Sequence, residues 1–158
     1  ILAADDGPGR LHGRIDTDRI AMAGHSVGGF TAAELAFSDT CGDDRIDAVV
    51  IMSAGLGGCA GGHTTTRSVP LLVTHGDADP NVPYALGRSA FAGAARPKYL
   101  LTVIGGGHST DVRGGPAPGA RAVTSTTVAF LDAYLRDAPA ALAAIRPVPG
   151  VTRWEAEP

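Results

Sequence analysis

Lysine is nearly missing from this chain: of its 13 basic residues, all but Lys98 are arginine. Against 16 acidic residues they leave a formal net charge of -3, with no basic patch and no acidic tail. A surface that tracks phosphates needs clustered positive charge, so nucleic acid is excluded as a partner. No targeting segment and no apolar run long enough to span a membrane is visible. Cysteine is equally scarce. Cys41 and Cys59 are the only two, and their spacing is not C-x-x-C, so they make no metal site by themselves. H-E-x-x-H and clustered metal ligands are lacking too, and no cofactor is implied. A Cys41–Cys59 disulfide is disfavoured on geometry. One cysteine should lie below the sheet and the other above it, roughly 20 Å apart, whereas bridged Cα atoms lie about 6 Å apart. Only a loop folding well back down would close that gap.

What the 158 residues do contain is an alternation of apolar strands and helix-forming runs. Arg19–Ala23, Ala48–Met52, Leu71–Thr74 and Tyr99–Ile104 read as strands, and the continuous apolar run at Ala48–Met52 suits a parallel strand buried on both faces. Val27–Phe37, Ala85–Ala95 and the stretch from Val123 to Leu135 read as helices, the last from its helical spacing. Pro139 can open a short final helix ending before Pro147, so that 136–158 forms a helix and tail. Gly55–Ser68 is rich in Gly and Thr, long enough for a crossover but too short for an inserted cap domain. The fold class expected is α/β, one domain over residues 1–158 with about four parallel strands and flanking helices.

The chemistry centres on Gly24-His25-Ser26-Val27-Gly28, a G-x-S-x-G set between the first strand and the first helix. That context is what a nucleophile elbow requires, with the serine hydroxyl raised above the sheet edge. Gly24 and Gly28 lack the Cβ atoms that are expected to collide where strand and helix approach so closely. A serine attacks poorly until a base takes its proton, so Ser26 calls for a histidine and an acid. The Val27 N–H, at a helix N-terminus, is placed to stabilise an oxyanion. No Asp or Glu occurs from Ala48 through Gly76. The acid must therefore come from His75-Gly76-Asp77-Ala78-Asp79-Pro80-Asn81-Val82-Pro83, where Asp79 fits better and Asp77 reads as a turn former. His108, on the loop Gly105-Gly106-Gly107-His108-Ser109, follows the next strand and is the expected base. His25 should pack beside the elbow and His75 should support the turn before the acid, while His12 and His63 read as solvated loop residues.

With these residues in place, the chain resembles the C-terminal half of a serine α/β-hydrolase over roughly Asp16 to Leu135. Gly24 to Thr31, the His75–Pro83 loop and Gly107-His108-Ser109 are similar to dienelactone-hydrolase-like and platelet-activating-factor-acetylhydrolase-like esterases. Polyester-cleaving cutinase relatives share the plan. Dienelactone hydrolases proper use a cysteine nucleophile, where this chain has Ser26. The resemblance implies hydrolysis of a small or accessible carboxylic ester through an acyl-enzyme on Ser26. A serine peptidase or acyltransferase on the same triad, and a non-catalytic binding protein of the fold, are the alternatives. The chain opens on Ile1, and the family's earlier strands and second oxyanion donor find no counterpart before Arg19. They are expected to lie outside this sequence, leaving the first strand as an exposed edge prone to self-association.

Overall fold

The computed structural model describes residues 14–57, 67–110 and 112–158. Along the chain run β1 (Ile20–His25), α1 (Val27–Phe37), β2 (Ile46–Met52), β3 (Leu71–Gly76), α2 (Tyr84–Gly93), β4 (Lys98–Val103), α3 (Pro118–Leu135), α4 (Ala140–Ala143) and β5 (Thr152–Glu157). The strands form one sheet in the order β1-β2-β3-β4-β5. The first four are parallel and β5 joins β4 antiparallel. Among the described residues no helix is long and apolar enough to cross a membrane.

Successive side chains of a strand point to opposite faces, and here both faces are covered. Val49, Ile51, Leu71, Val73 and Leu100 pack with Ala32, Ala33 and Ala36 of α1 and with Ala90 and Phe91 of α2. Their neighbours Ala48, Val50, Leu72 and Tyr99 pack on the opposite face with Phe130 of α3. The result is a three-layer mixed α/β unit. Phe130 is fully buried, with its ring centroid 6.0 Å from Tyr99 and 5.0 Å from Tyr134. Phe130→Ala should cost about 3–5 kcal/mol through lost burial and the cavity left behind. Urea unfolding at unchanged m-value would measure it. A loss under about 1 kcal/mol would mean that this face is not packed as described.

Several expectations are corrected. Residues 152–157 form a strand, not part of a tail. Trp154 stacks on Tyr99 with centroids 5.5 Å apart, and ion pairs fasten the strand to its surroundings: Arg88 with Glu155, Arg96 with Glu157 at 3.1 Å, and Arg153 with Asp77 at 2.8 Å. Helix α3 starts at Pro118, five residues before Val123. Proline suits the first helical position, where its missing N–H goes unused. Strand β2 starts at Ile46 and includes Asp47, whose carboxylate accepts the Ile20 N–H at 2.8 Å. The only lysine, Lys98, is buried, with its ammonium donating to Ala92 O at 3.1 Å and lying 5.3 Å from the Phe91 ring centre.

The cysteine expectation is corrected as well, since Cys41 is disulfide-bonded. Cys59, the other cysteine, lies outside the described residues. The geometric objection assumed that the chain leaves β2 upward and stays there. Instead it doubles back along α1: a Cβ on Gly57 would sit 2.6 Å from Phe30 O and 2.9 Å from Glu34 Oε2. Glu34 is also where Cys41 arrives, with Sγ 3.5 Å from Oε1.

Candidate active site

The strand register brings the C-terminal ends of β1 to β4 to one edge. His25 is level with Met52, Met52 with Thr74, and Gly76 with Val103. Three loops leaving that edge carry the three residues singled out from sequence. Open α/β sheets bind ligands at this end.

Ser26 joins β1 to α1 with φ 55° and ψ -123°, a conformation L-residues rarely adopt. Hydrogen bonds hold it there from both sides. Its N–H donates to Met52 O at 2.9 Å, extending the β1–β2 ladder, while its carbonyl accepts from Gly29 N at 2.8 Å and Phe30 N at 3.1 Å. The glycines permit the close approach, but not quite as expected. A Cβ on Gly24 would lie 2.0 Å from Gly28 O, and one on Gly29 2.6 Å from Ala54 Cβ, whereas one on Gly28 would meet nothing within 4 Å. The Val27 N–H is in the first turn of α1, where backbone donors have no intrahelical acceptor and the dipole favours negative charge.

The acid loop after β3 and the base loop after β4 are packed backbone to backbone. A Cβ on Gly76 would sit 2.1 Å from Gly106 O, and Ala78 N donates to that same oxygen at 3.0 Å. The two aspartates do different work. Asp77 accepts the Gly105 N–H at 2.6 Å and pairs with Arg153, fixing the turn and anchoring β5. The Asp79 side chain is buried and faces His108, whose Nδ1 is 2.8 Å from Oδ2. Its other oxygen accepts the N–H groups of Asn81 at 2.8 Å and Val82 at 3.0 Å. Burial works against ionisation of this carboxyl. The Val82 N–H, the His108 ring and the Asn81 N–H outweigh it and hold the pKa down to about 2. A carboxylate only accepts, so His108 Nδ1 carries a proton, and in the neutral form of the ring Nε2 is the nitrogen with a lone pair.

The depressed pKa sets a sign for stability. Ionised Asp79 stabilises the fold fully above the unfolded value near about pH 4, and the contribution is lost as pH falls towards about 2. About 2–3 kcal/mol of acid sensitivity follows, and Asp79→Asn should flatten unfolding free energies over that window. An unchanged pH slope in the variant would contradict it.

Below the acid, fully buried His75 directs Nε2 at Val82 O, 3.0 Å away, with Asp79 Oδ2 at 3.4 Å, while its Nδ1 has no hydrogen-bond partner. His25 does more than pack beside the elbow. Its Nε2 is 2.6 Å from His108 O and the two rings are 4.7 Å apart. No sequence pattern announces that contact, except that His25 adjoins Ser26. Ser26 Oγ and His108 are on this same edge, but no hydrogen bond joins them. Such bonds often tighten only when substrate is bound. A cleft of about 350 Å³ beside His108 is lined by Pro80, Asn81, Gly107, Ser109, Thr110 and Arg113. A larger cavity, about 530 Å³, is away from this edge between α3, α4 and β5. His12 and His63 fall outside the described residues. No protein-family model matches the chain, and no match is found among curated proteins.

Proposed function

We propose that this chain belongs to a serine α/β-hydrolase that cleaves carboxylic esters through an acyl-enzyme on Ser26. The observation that carries the reading is the Asp79–His108 pair, at 2.8 Å with the carboxylate buried, on the same sheet edge as the strained turn at Ser26. In the first step His108 Nε2 takes the Ser26 hydroxyl proton while Oγ bonds to the ester carbon. The carbonyl π pair moves onto oxygen, and the Val27 N–H meets that charge. The C–O bond to the leaving alkoxide then breaks, and His108 returns the proton to it. Water repeats the sequence on the acyl-enzyme, releasing the acid and restoring Ser26. Asp79 holds the His108 tautomer and stabilises the imidazolium throughout. The reading requires a second oxyanion donor beside the Val27 N–H, and a site open enough for short-chain or accessible esters.

Matched acyl esters and amides of an activated leaving group test it. Turnover of the ester with little of the amide is the expected result. Comparable amide cleavage would move the reading to a peptidase, and inertness to both would favour a binding protein of the same fold.

A further inference from the structure

We infer that His25 is a positioning residue for the base: its ring N–H tethers the backbone of His108 and sets where the imidazole stands relative to Ser26. The inference rests on reading Ser26 and His108 as nucleophile and base. A backbone carbonyl only accepts, so the 2.6 Å contact puts the His25 proton on Nε2. The distance lies just below the usual N–H···O range of about 2.7–3.2 Å, a close contact. Its partner sits at the end of three consecutive glycines, Gly105 at φ 67° among them, a segment with much freedom to lose and little side-chain anchorage. The base is therefore held from two directions. Asp79 grips the ring from the acid loop at 2.8 Å. His25 grips the backbone from the end of β1, one peptide bond before Ser26. One covalent step and one hydrogen bond thus connect the nucleophile to the base.

Releasing that tether should shift the base by a fraction of an ångström. Small misplacements of reacting groups cost up to about 10²-fold in rate. In the protein, His25→Phe keeps a ring but no donor and should lower kcat about 10- to 100-fold with KM nearly unchanged. His25→Gln, whose amide nitrogen reaches about as far as Nε2, should recover most of kcat. His25→Asn, one methylene shorter, should not. The His108 Nδ1 proton, expected far downfield in the NMR spectrum of the wild type, should broaden or move upfield in the Phe and Asn variants and stay in place in Gln. If the Phe variant unfolds, the Gln and Asn pair makes the same comparison. A kcat within twofold of wild type in Asn or Phe with an unmoved proton signal would overturn the inference. So would a KM raised equally by all three variants, which would make His25 a substrate contact. A Ser26→Ala protein that still turned over ester would instead overturn the nucleophile assignment, and the NMR comparison would still decide the tether.

Discussion

Ser26→Ala should lower ester turnover by about 10⁴- to 10⁶-fold and leave the protein folded. The hydroxyl is the only group lost, and without it no acyl-enzyme forms. Residual rate would come from binding and the oxyanion donors alone. The backbone supplies an internal control. Ser26 holds φ 55°, which alanine tolerates no better than serine, so Ser26→Ala should leave stability nearly unchanged. Ser26→Gly should be equally inactive yet more stable by about 1 kcal/mol, because glycine adopts positive φ without steric cost. An inactive but stabilised glycine variant would show that strain at this turn is maintained for the hydroxyl it presents. If Ser26→Ala kept more than about a tenth of wild-type turnover, the nucleophile would be elsewhere.

His108→Ala should be nearly as damaging, again about 10⁴- to 10⁶-fold in kcat, and its effect should not add to that of Ser26→Ala. Proton removal and nucleophilic attack are one event, so after either loss there is nothing left for the other residue to contribute. The double variant should match the worse single one to within about tenfold. A double variant slower than either single one by a further 10³-fold would mean that the two residues act independently. Removing His108 also leaves the buried Asp79 carboxylate without its ring partner, and the Val82 and Asn81 N–H groups remain to hold it. The variant should therefore fold, with a stability loss of about 1–3 kcal/mol.

The layered fold was legible because β2, β3 and β4 are buried almost throughout and each carries a short apolar stretch, Ala48–Met52, Leu71–Val73 and Tyr99–Leu101. The elbow was legible because strand, G-x-S-x-G and helix follow one another without a gap. Asp79 could be preferred to Asp77 from loop position alone, and it is Asp79 that the structure sets against His108. What escaped the sequence depends on partners far along the chain. Residues Thr152–Glu157 look polar in isolation and become a strand by pairing with β4 and meeting Arg88 and Arg96. Pro118 and Gly119 read as loop, yet they open α3, and Gly119 is small because Val103 lies against it, 2.8 Å from where its Cβ would be. Gly29 rather than Gly28 faces the crowded side of the elbow because Ala54, from the loop after β2, packs there. The His25 tether joins residues 83 positions apart. No local pattern encodes it.

The central claim is that Ser26 is a nucleophile activated by His108. Labelling with a fluorophosphonate tests it most directly, because the probe bonds covalently to a serine only where a base removes its proton. Wild-type protein should gain one adduct, mapped by peptide mass spectrometry to Ser26, and His108→Ala should gain almost none. An unmodified Ser26 in folded wild-type protein, or equal labelling with His108 removed, would contradict it.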